Sequence, residues 1–189
     1  MNVIQKIDKT VEFLKSKIDY VPEIAIILGS GLGKLADLIE DAKIIPYEEI
    51  PNFPRTTVAG HEGKLIFGTI KNRRVVAMKG RFHYYAGNEM DSVVYPIRVF
   101  RRLGIGNLIV TNAAGGINTG FKPGDLMLIT DHISLFCENP LRGENINDLG
   151  PRFPDMTVAY DKNLRALALE SAGKLGIDLK SGIYSYCKG

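Results

Sequence analysis

Arg81, His83 and Tyr85 stand two apart in Gly80-Arg-Phe-His-Tyr-Tyr-Ala-Gly87. In extended backbone, alternate side chains share a face, so these three would project together. A guanidinium is planar and permanently charged, and it grips phosphate oxygens in pairs. The other reading leaves Arg81 in a surface ion pair and His83 as a satisfied core residue. The glycine brackets and the preceding apolar run favour a functional turn. A second stretch has matching chemistry. Ile24-Ala-Ile-Ile-Leu28 runs into Gly29-Ser30-Gly31, and an apolar, helix-compatible segment, Leu32–Ile39, follows. Glycines admit a ligand close to the backbone, and a helix start offers unpaired N–H groups to an anion. Ser30 adds a hydroxyl at the tip. Taken alone, this loop is either an oxyanion pocket or a tight strand-to-helix connection.

Two nucleotide motifs are excluded. Gly29, Gly31 and Gly33 are followed by Lys34, so the dinucleotide pattern GxGxxG fails. Gly33-Lys34 is followed by Leu35 and position 28 is Leu, so the nucleotide P-loop pattern fails as well. Other polar residues give weaker signals. Asn112 suits either an Asx-type turn or a ligand contact. Asp131-His132 has acid–base types but lacks a nucleophile, so His132 reads as structural. Glu138 and Asn139 sit in a loop without an independent signal. Phe136, Phe153 and Tyr160 could stack on a heterocycle, but loop aromatics more often pack. No cluster has metal-ligand spacing.

Elements that could position these groups alternate along the chain. Val3, Ile4, Ile7, Val11, Leu14 and Ile18 recur at helical spacing. Strands are expected at 24–28, 43–47, 64–70, 73–78, 107–111, 125–130 and 181–187. Asn72 suggests a hairpin. Ile50–Pro54 is irregular because two prolines interrupt it, 56–63 reads as a mobile loop, and 136–154 as a long irregular one. Helices are expected at 32–39, at 93–103 capped by Asp91, and at 162–175 capped by Asp161. Pro96 opposes the middle one. This alternation implies an α/β fold with a central mixed β-sheet flanked by helices. Turns Gly29–Gly33, Gly80–Gly87 and Asn112–Gly116 each follow a strand. Ligands in open α/β sheets gather beyond the carboxyl ends of strands, so the three turns should meet at one pocket.

The bulk properties narrow the class. A chain of 189 residues is long enough for one domain with a substantial core. The net charge of +3 comes from scattered Lys and Arg, which argues against a nucleic-acid surface but permits small anions. Cys137 and Cys187 lack metal spacing, and the first 17 residues lack a signal-peptide core. No apolar run is long enough to span a bilayer. A reduced, cytoplasmic setting without a membrane or nucleic-acid partner is the expectation.

The chain resembles the trimeric purine nucleoside phosphorylases of the inosine/guanosine type. The resemblance rests on Ile27–Gly33, Gly60-His-Glu-Gly63, Gly80–Gly87, Val110-Thr-Asn-Ala-Ala-Gly-Gly-Ile117, Pro123-Gly-Asp125, Asp131-His-Ile133, Asn139-Pro-Leu-Arg-Gly143 and Arg152-Phe-Pro154, in family order. Methylthioadenosine phosphorylases share the architecture, but Phe82-His-Tyr-Tyr-Ala-Gly87 looks like the purine nucleoside type. The resemblance implies a single phosphorylase domain over 1–189 and reversible phosphorolysis of purine (deoxy)nucleosides. Phosphate would be co-substrate, with no cofactor or metal. By analogy Ser30, Arg81, His83 and the Ala113 N–H would hold phosphate, with His83 assigned the catalytic part. Tyr85 would face the ribose, and His61 would lie near the phosphate. Phe153 would reach a neighbouring subunit's sugar site in a homotrimer. In the family the purine-holding glutamate and asparagine lie beyond the position of Tyr184. A missing C-terminal third, with base preference unreadable, is therefore the expectation. The competing expectation is a catalytically silent homologue that keeps a phosphate pocket or an assembly surface.

Overall fold

The computed structural model describes residues 1–55, 63–135 and 137–186. The loop expected at 56–63 lies almost wholly outside these residues, as do His61, Phe136 and Cys187. The chain divides into two compact units, Met1–Ala113 and Ala114–Gly189.

The first unit opens with helix α1 (Val3–Lys17). Asn2 caps it, its side chain accepting from the Gln5 N–H at 2.9 Å while the Gln5 side chain accepts from the Asn2 N–H. Strands β1 (Ile24–Leu28), β2 (Glu40–Pro46), β3 (Lys64–Ile70) and β4 (Arg73–Lys79) follow, then helix α2 (Met90–Leu103) and strand β5 (Asn107–Val110). The strand order is β2-β3-β4-β1-β5. β2, β3 and β4 are antiparallel neighbours, whereas β1 runs parallel to both β4 and β5. The expected mixed sheet is therefore present. Lys71 and Asn72 both have positive φ, which makes the tight β3–β4 hairpin.

Period-two alternation sorts the sheet's side chains onto two faces. Ile26, Leu28, Ile66, Val75 and Ala77 cluster with Ala36 and Ile39 on one face. Ala25, Ile27, Leu65, Phe67, Val76 and Met78 take the opposite parity and are also buried. α1 and α2 pack on each other. Between them Tyr95 and Thr10 share a 2.8 Å hydrogen bond. The Thr10 hydroxyl also lies 2.6 Å from the Pro51 carbonyl, tying the irregular 50–54 segment to both helices.

Three local expectations need correction. Leu32–Ile39 is not an α-helix: Gly33–Leu38 forms a short 3-10 helix without a side-chain cap. Asp91 is not the cap of α2. The helix starts earlier, after Glu89, and Asp91 inside it pairs with Arg98 at 2.9 Å. α2 also runs through Pro96, which is fully buried. β2 starts at Glu40, three residues before the expected strand, with an irregular register between Glu40 and Lys43.

The second unit contains strand β6 (Met127–Ile133), helix α3 (Lys162–Lys174) and strand β7 (Lys180–Ser185). β6 and β7 form a parallel pair. β6 begins two residues later than expected, because Asp125 belongs to the preceding turn: its carboxylate accepts from the Lys122 N–H at 3.0 Å. Asp161 does cap α3, accepting from the Leu164 N–H at 2.9 Å. No helix among the described residues is long and apolar enough to cross a membrane.

Candidate functional site

β1, β4 and β5 are parallel neighbours, so their carboxyl ends lie on one edge of the sheet. In register, Leu28 pairs with Lys79 and Ile27 with Val110. Gly29, Gly80 and Thr111 therefore leave the sheet side by side. The expected meeting of three turns holds for the parts within the first unit.

Thr111 is the joint between them. Its hydroxyl accepts from the Gly29 N–H at 2.8 Å and donates to the Ile27 carbonyl at 2.9 Å. Its carbonyl accepts from Arg81 Nη1 at 3.1 Å. One residue thus ties the glycine turn, the arginine turn and the end of β5 together. The fit is close. A Cβ on Gly29 would lie 2.5 Å from the Thr111 carbonyl oxygen and 2.7 Å from Asn112 Cα.

The glycine turn closes through the Leu32 N–H to the Gly29 carbonyl at 3.1 Å. Gly31 at its tip has φ +84°, where L side chains are strained. Ser30 is exposed. Because the following helix is short and of 3-10 type, the donors available here are loop N–H groups and the Ser30 hydroxyl rather than the dipole of a long helix.

Gly80 has φ +92° and swings the chain out of β4. Phe82 then points into the core at 5% exposure, and the parity places Arg81 and His83 on the other side. Among the described residues no carboxylate pairs with Arg81. Its hydrogen bond to Thr111 engages one of its five donors. His83 is extended, and its carbonyl accepts from the Asn88 side chain at 2.9 Å. Tyr84–Ala86 is a 3-10 turn, so strict alternation ends before Tyr85. Tyr85 still stays with His83: their ring centroids are 4.7 Å apart. Its side chain is otherwise open, at 80% exposure.

Ala113 follows Thr111 by two residues and is exposed. Asn112 donates its side-chain amide to the Ala113 carbonyl at 3.2 Å, one residue on, whereas an Asx turn has the side-chain oxygen accept from an N–H two residues on. Ser30, Arg81, His83, Tyr85 and Ala113 thus all belong to the first unit, at or just beyond one sheet edge. Phe153 belongs to the second unit, is 86% exposed and has the Arg152 guanidinium over its ring at 5.6 Å.

His132 is on β6, with Nε2 hydrogen-bonded to the Tyr160 hydroxyl and its ring stacked on Tyr160. Tyr184 meets the His132 ring edge-on. The His132 ring is thus held by two tyrosines. Burial, then the nearby Asp131 carboxylate, raise the Tyr160 phenol above its ordinary range. Asn139 closes an Asx turn onto the Leu141 N–H at 2.9 Å. Among the described residues no group of His, Cys, Asp and Glu is placed to hold a metal ion.

The residue reading missed Thr111, Asn88 and Tyr47. Thr111 had a visible signal, a hydroxyl at the end of an apolar strand. Tyr47 had none: its hydroxyl donates to the Gly80 carbonyl at 2.5 Å across 33 positions of sequence.

The profile of the phosphorylase superfamily matches residues 23–189. The chain belongs to that family. Purine nucleoside phosphorylase 1 of Geobacillus stearothermophilus is 53% identical over 178 residues, 94% of this chain and 65% of that protein. The Bacillus subtilis enzyme of the same name is 50% identical, over 97% of this chain and 68% of its own. Mouse purine nucleoside phosphorylase is 47% identical over 94% and 63%. The chain thus spans about two thirds of the length of these relatives. A purine nucleoside phosphorylase solved with ribose-1-phosphate superposes with TM-score 0.94 at 46% identity, covering all of this chain and 72% of that one. The Schistosoma mansoni enzyme solved with inosine gives 0.94 at 45%, covering all of this chain and 68% of its own.

Proposed function

We propose that this chain carries the phosphate side of a purine nucleoside phosphorylase and serves reversible phosphorolysis of purine (deoxy)nucleosides. The observation that carries the reading is the Thr111 joint, which gathers the Gly29–Gly33 turn and Arg81 at one sheet edge. The complex of a relative with ribose-1-phosphate supports phosphate as co-substrate. Relatives solved with inosine, adenosine and hypoxanthine support the purine nucleoside class. The family match crosses both units, which supports reading 1–189 as one phosphorylase domain.

In this assignment Ser30, Arg81, His83 and the Ala113 N–H hold the phosphate, and His83 is the catalytic group. Tyr85 faces the ribose beside His83. His61, outside the described residues, is assigned next to the phosphate. Phe153, an exposed ring, is assigned to the sugar site of a neighbouring subunit in a homotrimer. A cytoplasmic setting completes the assignment.

The chemistry follows from charge placement. A phosphate oxygen attacks the anomeric carbon as the bond to the purine nitrogen breaks, and that electron pair leaves with the base. The carbon passes through an oxocarbenium-like state, which the bound dianion stabilises. Positioning and electrostatics supply the acceleration, without a covalent enzyme intermediate. The departing base must gain a proton or a hydrogen bond.

The test is release of hypoxanthine from inosine and guanine from guanosine, with and without phosphate. Phosphate-dependent release is expected. No release from a folded chain that still binds phosphate contradicts the phosphorolysis assignment and favours the silent homologue.

A further inference from the structure

We infer that Tyr47 is a positioning residue for anion binding, acting on Arg81 through the Gly80–Arg81 peptide. The inference rests on the phosphate reading of the site.

Tyr47 follows directly on β2, where Pro46 pairs with Lys64, and its own N–H donates to the Gly63 carbonyl at 2.9 Å. Its backbone is thereby fixed to the β2–β3 ladder. The side chain is 3% exposed and crosses to the Gly80 turn. There it makes two kinds of contact. Its ring lies 5.4 Å from Phe82 and 4.9 Å from Phe53, while Phe53 also meets Phe82 at 6.0 Å. Its hydroxyl donates to the Gly80 carbonyl at 2.5 Å.

That carbonyl belongs to the peptide plane from which Arg81 starts. Gly80 sits at φ +92°, and glycine gives the plane little intrinsic resistance to rotation. One hydrogen bond to its oxygen, together with the Phe82 ring held below, fixes the plane from two sides. Arg81 then begins its side chain from a set point, and its Thr111 contact at 3.1 Å fixes the far end. Burial pushes the Tyr47 phenol well above the ordinary tyrosine range, so it remains a donor at working pH. A site that must meet an anion with several donors at once loses affinity when its supporting contacts loosen.

Tyr47→Phe removes the hydroxyl and keeps the ring. Phe82→Leu loosens the same turn from the ring side and keeps the hydroxyl. Asn2→Ala is the control. It removes the cap of α1 and none of the contacts made by Tyr47 or Phe82. Each is titrated calorimetrically with inorganic phosphate, and its thermal midpoint is recorded. Wild type is expected to bind. Tyr47→Phe should bind about tenfold more weakly, the lower end of the scale on which outer-shell partners act on bound ions. Phe82→Leu should lose less, and Asn2→Ala should melt earlier with phosphate affinity unchanged. Wild-type affinity in both Tyr47→Phe and Phe82→Leu, whatever their midpoints, overturns the positioning role while leaving the phosphate reading standing. Absence of binding by folded wild type overturns both.

Discussion

In residues 1–113, Phe67, Val76 and Val99 are fully buried, whereas in residues 114–189 Leu135, Leu167 and Leu175 are 77%, 56% and 72% exposed. Among the described residues of the second unit only Ala172 is buried. The contrast follows from architecture. In the first unit's five-stranded mixed sheet β1, β3 and β4 are largely buried on both faces, while β5 is exposed along its length. Among its described residues the second has one parallel strand pair and one α-helix. Parallel strands are ordinarily covered on both faces, and two strands alone are marginal. The turns that gather at Thr111 are therefore mounted on a core of their own, and Phe153 is not.

The contrast can be broken most directly by large-to-small substitution. Phe67→Ala should cost about 3–5 kcal/mol in urea unfolding, since it empties a packed site. Leu167→Ala, on α3, should stay within about 0.5 kcal/mol. Equal costs would mean that the second unit has a core of comparable weight.

Glycine substitution sharpens the same contrast near the site. Gly29→Ala forces a methyl onto the Thr111 backbone and should cost about 1–3 kcal/mol. Gly173→Ala meets nothing within 4 Å and should stabilise α3 by roughly 0.5–1 kcal/mol. Thermal melting of the two variants in opposite directions is the expected outcome. A tolerated Gly29→Ala would show that the Thr111 joint is loose.

Helix caps give a smaller effect. Asp161→Ala removes the acceptor for the Leu164 N–H, at a cost of about 1 kcal/mol. Because α3 buries little, the loss should appear as fraying in circular dichroism. Asn2→Ala on α1 should show the same cost in stability without fraying, because Ile7, Val11 and Leu14 hold that helix to its core.

The smallest effect concerns pH. The hydrogen bond from Arg73, then the Arg74 backbone, hold the Glu23 carboxyl below its ordinary value of 4.5. A depressed folded value means that this pair contributes stability above the unfolded value and loses it as pH falls through the folded one. Glu23→Gln should therefore lower stability slightly near neutrality and leave it unchanged in acid, as read from melting at stepped pH. A loss that persists below that window would assign the effect to something other than charge.

Much of this was legible from residue types. Alternation located the strands, Asn72 marked the hairpin, and Asp161 marked the start of α3. The three turns were legible because glycines and polar groups follow apolar runs at each. What could not be read depends on distant partners. The Leu32–Ile39 apolar spacing fits an α-helix, yet the segment places only Ala36 and Ile39 in the core cluster, one within a short 3-10 helix and the other just after it. Asp91 has the chemistry of a cap, but Arg98, about two turns further along the helix, claims it. Asp131-His132 lies just past the strand expected at 125–130, and pairing with Ile183 and Tyr184 draws it into β6. Tyr47 and Thr111 act through contacts 33 and 82 positions away, which no local pattern records.

The central claim is that these turns make one phosphate site with Arg81 as its principal cation. Calorimetric titration of phosphate into the wild-type chain and into Arg81→Ala tests it most directly. Saturable binding by the first is predicted. The variant should bind about 10–100-fold more weakly with an unchanged fold, the loss expected from hydrogen bonds to a charged group. Equal affinities in the two proteins would contradict the account.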